Sequence, residues 1–180
     1  KVLKQEANVT LEKIDYLKKV LRGKYGWELW AKVYRRELFD EPMYIPCHLR
    51  IGEDATVYMQ LVARSCKVKI INEALYNYIQ YPSSASHQRS VTLAEETLQA
   101  AFYIDHLLKK ESFYQEIRDE IDAMYLLFYS NSTRKAFLRL NHPLIYQVYQ
   151  EHYSLRALKI LPLFKSIYIS LSLLLRKTLS

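Results

Sequence analysis

Residues 81–89, reading Tyr-Pro-Ser-Ser-Ala-Ser-His-Gln-Arg, divide this chain into two stretches with different hydrophobic periods. Before the polar loop, short apolar patterns switch between a strand-like period of two and a helical period. After it, the spacing is helical almost throughout. Half of the 180 residues are hydrophobic and only three are glycine, so both stretches belong to a folded protein rather than a disordered tail. The pattern predicts an α+β, mostly helical fold, with a few short strands within residues 1–90 and a helical extension over 91–180.

The first stretch opens with Leu11, Ile14, Leu17 and Leu21 on one helical face, and Gly23 is placed to end that helix. Residues 27–38 read as strand followed by helix, and Pro42 and Pro46 bracket a loop. Ala55, Tyr58, Met59 and Val62 share a face of the next helix. Residues 67–70 and 75–79 read as two short strands. In the second stretch, Thr92 with Glu95 and Ser112 with Gln115 are spaced as capping boxes ahead of apolar runs. Residues 130–133 and 141–143 read as breaks. No repeat or low-complexity segment occurs.

The net charge of +7 favours acidic partners such as phosphate or anionic lipid. The basic residues form no nucleic-acid-binding motif. Cys47 and Cys66 have neither metal-ligand spacing nor a disulfide framework, which fits a reducing compartment. No secretory signal opens the chain, and a start at Lys1 suggests an internal or processed segment. Residues 160–175 carry a single charge, Lys165, and are followed by Arg176 and Lys177. Pro162, Lys165 and the serines argue against a spanning helix, which wants roughly 20 uninterrupted apolar residues. Three readings of residues 158–180 stand: a helix lying in a membrane interface, a helix packed on a partner, or a final core helix that frays at its end.

The sharpest chemical feature is Gly52-Glu53-Asp54, two carboxylates after a glycine at the start of a helical pattern. Acidic residues in a first helical turn ordinarily cap and complement the helix dipole. The same geometry also holds an acid at the lip of a cleft. Upstream lies Trp30-Ala31-Lys32-Val33-Tyr34-Arg35-Arg36-Glu37-Leu38-Phe39; downstream lie Leu75-Tyr76-Asn77-Tyr78 and Ser84-Ala85-Ser86.

In order and spacing these stretches resemble the C-terminal, acceptor-side half of the catalytic domain in bacterial family 2 glycosyltransferases of the GT-A type. The match covers about residues 10–90. The resemblance implies an inverting transfer of sugar from a nucleotide-sugar donor to a polysaccharide or lipid-linked acceptor. It assigns the general-base role to Asp54, with Glu53 orienting the acceptor or the turn. A sugar hydroxyl is a poor nucleophile until its proton is taken, and a carboxylate roughly 3 Å away suits that task. Trp30 could stack on a sugar, Lys32 and Arg35 could meet diphosphate or an anionic acceptor, and His87 and Arg89 in the polar loop could approach phosphates. Each also has an ordinary reading as packing or a solvated face. The resemblance further implies a divalent Mg or Mn ion, bacterial polysaccharide synthesis and a cytoplasmic location, and on the membrane-interface reading of residues 158–180 the protein is peripheral on the inner face of the plasma membrane.

Departures from the family pattern matter equally. Ile79, Tyr81 and Ser83 stand where family members carry arginines and a glycine, so a phosphate contact is absent or falls to Arg89. No Asp-x-Asp and no glycine-rich phosphate loop occurs, so the ion's ligands and the nucleotide-binding half are expected outside this chain. The segment alone is accordingly expected to be inactive. The rival reading is a non-catalytic basic helical module that binds an anionic membrane or a partner protein.

Overall fold

A computed structural model of the chain describes residues 8–79, 90–135 and 142–179. The fold is α+β and mostly helical. Its elements are β1 (Thr10–Glu12), α1 (Lys13–Leu21), α2 (Glu53–Arg64), β2 (Lys67–Lys69), α3 (Val91–Leu108), α4 (Arg118–Lys135), α5 (Pro143–His152), α6 (Leu155–Ile160) and α7 (Leu163–Leu179). Single 3-10 turns lie at Arg36–Phe39 and Tyr114–Ile117.

β1 and β2 pair antiparallel with Leu11 opposite Val68. Leu11 therefore sits in a strand rather than in the first turn of a helix beginning near residue 10. The ladder is continued by Ile70 N donating to Val9 O at 2.8 Å and Lys13 N to Cys66 O at 2.9 Å. Gly23 ends α1 as expected. It takes φ +71°, and Gly23 N and Lys24 N return to the carbonyls of Val20 (2.8 Å) and Lys19 (2.9 Å). That pair of bonds is a Schellman closure, and its left-handed position suits glycine.

α4 is the centre of the molecule. Every residue from Glu120 to Ser130 is buried, because α1, α3, α5, α6 and α7 all pack around it. One continuous core joins Leu17 and Leu21 of α1, Met59 of α2, Leu98 and Ile104 of α3, and Ile121 and Met124 of α4, so the two stretches of sequence share it. Two buried polar clusters in the core are paired, while Ser130 Oγ is buried without a partner among the described residues. Asp105 accepts from Tyr114 Oη at 2.6 Å and Tyr125 Oη at 3.2 Å, and meets Lys109 Nζ at 3.0 Å. His152 Nδ1 lies 2.8 Å from Asp122 Oδ1, with its ring stacked on Tyr125 at 3.5 Å.

Several local expectations are corrected. Ser90, not Thr92, caps α3: its extended backbone precedes the helix and its Oγ accepts from Leu93 N at 3.1 Å. Glu95 is instead 3.0 Å from His142 Nε2. Ser112 and Gln115 lead into a 3-10 turn whose N-cap, Phe113, makes no side-chain cap. Residues 130–133 do not break α4. Thr133 Oγ1 folds back onto Tyr129 O at 2.9 Å, and Ser132 Oγ donates to Ala94 O of α3 at 3.3 Å, so these hydroxyls find partners without ending the helix. α5 begins with Pro143 in its first turn, where a missing N–H leaves no bond unmade.

The expected strand at residues 75–79 is irregular, and so are residues 27–35. Among the described residues the sheet has two strands. Residues 75–79 therefore have no ladder to join, and Leu75 N closes a tight turn on Glu73 O at 3.0 Å instead.

Candidate active site

α2 organises the region around the Gly-Glu-Asp turn. Gly52 is its N-cap at φ +96°, and a Cβ there would lie 2.5 Å from Ala100 Cβ on α3. The start of α2 is thus pressed against α3 at a point that admits only glycine. Arg50 fastens the same corner, with Nε (3.1 Å) and Nη2 (3.0 Å) donating to Glu96 Oε1 and its backbone N to Oε2 at 3.0 Å. Burial pushes the Glu96 carboxyl up, but the Arg50 bonds outweigh it and hold the group below its ordinary range.

The far side of α2 holds the preceding loop. Gln60 pairs with both backbone groups of Tyr44, accepting at 2.9 Å and donating at 2.8 Å. Arg64 donates to the carbonyls of Leu38 (3.0 Å), Glu41 (2.9 Å) and Pro42 (2.7 Å). The irregular chain between α1 and α2 is fixed by these side-chain bonds rather than by a sheet.

Within that chain Ala31 takes φ +57°, a left-handed conformation that few L-residues adopt. The reversal separates its neighbours. Trp30 stacks on Tyr76 (5.4 Å between centroids, 17° between planes) and on Tyr78 (4.5 Å, 8°). Lys32 instead turns inward: its Nζ donates to Glu28 O, lies 3.8 Å from Glu28 Oε2 and sits 4.7 Å above the ring of Tyr58. Tyr58 and Tyr16 share a buried hydroxyl–hydroxyl hydrogen bond, and Tyr34 Oη donates to Leu29 O at 3.1 Å.

Asp54 faces this group from the first turn of α2. Its charge acts on both Lys32 and Tyr34. Burial lowers the Lys32 ammonium, and Glu28 and then Asp54 oppose that effect. Tyr34 is pushed up to about 12 by burial, Tyr16 and Asp54. Burial, then Tyr16, raises Tyr58 well beyond the usual phenol range. No side chain caps α2; Thr56 Oγ1 spends its proton on Gly52 O at 3.0 Å. Among the described residues the Asp54 carboxylate accepts no hydrogen bond, so backbone amides do not occupy it. Glu53 is partly buried, and its Oε2 is enclosed without a partner among the described residues. The arrangement is a partly buried carboxylate that accepts no hydrogen bond among the described residues and acts through its charge on Lys32 and Tyr34.

Of the residues singled out in the sequence, Asp54 acts through its charge on Lys32, Glu53 precedes Asp54 in the first turn of α2, and Trp30 packs on Tyr76 and Tyr78. Arg35 lies exposed at the cap of the first 3-10 turn, and its side chain makes no contact among the described residues. Trp27 is partly buried and packs edge-on against Phe128 of α4 at 4.5 Å, a packing role. His87 and Arg89 lie outside the described residues, as do Ser84 and Ser86. Glu28, Tyr16 and Tyr58 were not foreseen as neighbours of Lys32. The i,i+4 spacing of Glu28 and Lys32 is the one local signal that could have found the first of them.

No three His, Cys, Asp or Glu side chains among the described residues are grouped to hold a metal, and the sequence contains no Asp-x-Asp.

The chain has a distant likeness to a glycosyltransferase. The relative is the uncharacterized glycosyltransferase EpsJ of Bacillus subtilis (strain 168), 29% identical over 101 residues. Those residues are 54% of this chain and 29% of that protein, so the match spans less than a third of the relative's length. No protein-family description matches the chain, and no solved structure matches it.

Proposed function

We propose that this chain is the acceptor-side part of an inverting, family 2-type glycosyltransferase, with Asp54 as its general base. The observation that carries the reading is the unengaged Asp54 carboxylate at the start of α2, in the field of Lys32. A carboxylate used for capping would be satisfied by first-turn amides; this one keeps its acceptor capacity for a ligand.

In the reaction, Asp54 takes the proton of an acceptor hydroxyl as the hydroxyl oxygen bonds to the anomeric carbon of the donor sugar. The bond from that carbon to the nucleoside diphosphate breaks, and the leaving group departs with the electron pair, inverting the configuration. Lys32, largely withdrawn from solvent and held by Glu28, adds positive charge to the field at the carboxylate. Trp30, with Tyr76 and Tyr78, supplies an aromatic surface for a sugar ring. Glu53 supports the turn. The nucleotide and any metal are held by residues outside this chain, and the acceptor is a polysaccharide or lipid-linked glycan at the cytoplasmic membrane face.

Product stereochemistry in the parent enzyme tests the reading. A new glycosidic bond of configuration opposite to the donor's, formed by the wild type and lost in Asp54→Asn, supports it. Retention of configuration would overturn it.

A further inference from the structure

α7 has two unlike faces. Its inner face is anchored to α4: Ile169 is fully buried, Ser172 Oγ lies 2.8 Å from Tyr129 Oη, and Tyr168 Oη donates to Thr133 Oγ1 at 2.9 Å. Roughly opposite, at helical spacing, stand Leu163 (76% exposed), Phe164 (59%), Ile167 (50%) and Leu171 (55%). Four large apolar side chains in one stripe are more than a surface ordinarily scatters. They lie on a helix whose other side is already committed to the core.

The charge of the segment that carries the stripe is one-sided. From residue 152 to the end of the chain there is no Asp or Glu, while Arg156, Lys159, Lys165, Arg176 and Lys177 are all cationic. Arg156 and Lys159 are exposed on α6, the helix leading into α7. A protein partner would be equally served by an apolar stripe with mixed charges. An unbroken cationic segment complements a surface that is uniformly negative and apolar beneath, which is an anionic bilayer.

We propose that the outer stripe of α7 inserts into the interface of an anionic membrane, with the basic residues of the 152–180 segment held by lipid phosphates. α7 then lies on the membrane rather than crossing it; among the described residues no helix is long and apolar enough to span. Two signals are needed because one modest apolar anchor binds weakly, with an association constant of about 10⁴ M⁻¹ for a single myristoyl chain. The inference rests on α6 and α7 and is independent of the role given to Asp54.

The test is co-sedimentation of the full chain with vesicles of phosphatidylcholine alone or mixed with phosphatidylglycerol. The expected result is binding to the mixed vesicles at least ten-fold tighter than to phosphatidylcholine, weakening as salt rises. A variant with Leu163→Ser, Phe164→Ser, Ile167→Ser and Leu171→Ser should bind at least ten-fold more weakly. Should that variant lose helicity, Arg156→Gln with Lys159→Gln touches only exposed side chains and should still reduce binding several-fold. Undiminished binding by either folded variant, equal binding to both vesicles, or no binding overturns the proposal. So does a wild-type dimer that the four serines convert to monomer, since the stripe would then be an interface between copies.

Discussion

Replacing Gly52 by alanine perturbs two things at once, and both are measurable. The residue sits at φ +96°, outside the range an L-residue adopts comfortably. Left-handed backbone costs a residue with a Cβ about 1–2 kcal/mol. The new methyl would also lie 2.5 Å from Ala100 Cβ, which is fully buried on α3 and has no rotamer by which to withdraw. Overpacking of that kind costs about 1–3 kcal/mol. The lower entropy of the unfolded alanine chain offsets about 0.4–1 kcal/mol. The net loss is about 3 kcal/mol, which at this chain length lowers Tm by roughly 6–12 °C. Circular dichroism during urea and thermal unfolding reads it. Adding Ala100→Gly should remove the contact but not the dihedral strain, so the double variant should recover only part of the loss. If Gly52→Ala unfolds within about 0.5 kcal/mol of the wild type, the close approach of α2 to α3 argued above is wrong.

Two further outcomes follow from backbone and burial. Ala31→Gly should raise the unfolding free energy by about 0.5–1 kcal/mol, seen as a higher urea midpoint, because glycine accepts the left-handed backbone at Ala31 without penalty; a lower midpoint would show that this conformation is not strained. Alkaline stability should fall with the titration of phenols: Tyr16, Tyr58 and Tyr125 are raised chiefly by burial, and Tyr34 and Tyr114 reach about 12. Each is neutral in the fold when its unfolded counterpart ionises near 10, so their stabilisation is complete below about pH 10 and disappears as pH rises through the folded values. Phenolate absorbance and helicity followed together should show these tyrosines ionising with unfolding; smooth ionisation in an intact fold would refute the burial.

The sequence announced the parts of the fold that depend on local pattern. The stripe Ala55, Tyr58, Met59 and Val62 is buried on α2 as its spacing required, and Gly23 closes α1. What depended on distant partners was hidden. Leu11 fits a helical stripe and a strand equally well, and only Val68 decides between them. Residues 75–79 have a strand's composition, yet among the described residues no third strand receives them. The serines and threonine at 130–133 resemble a break until their bonds to Tyr129 and Ala94 are seen. The site divides the same way. The Gly-Glu-Asp turn was legible as the start of α2, whereas the packing of Lys32 over Tyr58 joins distant parts of the chain and follows a left-handed Ala31 that no residue type signals.

The central claim is that Asp54 takes a proton during sugar transfer, and kcat of the full parent enzyme carrying Asp54→Asn tests it most directly. The substitution keeps size and hydrogen-bonding shape, so unfolding curves should match the wild type while kcat falls about 10²–10⁴-fold, the contribution typical of a general base. Glu53→Gln in the same assay should lose far less. A correctly folded Asp54→Asn enzyme that transfers sugar within a few-fold of the wild-type rate would contradict the claim.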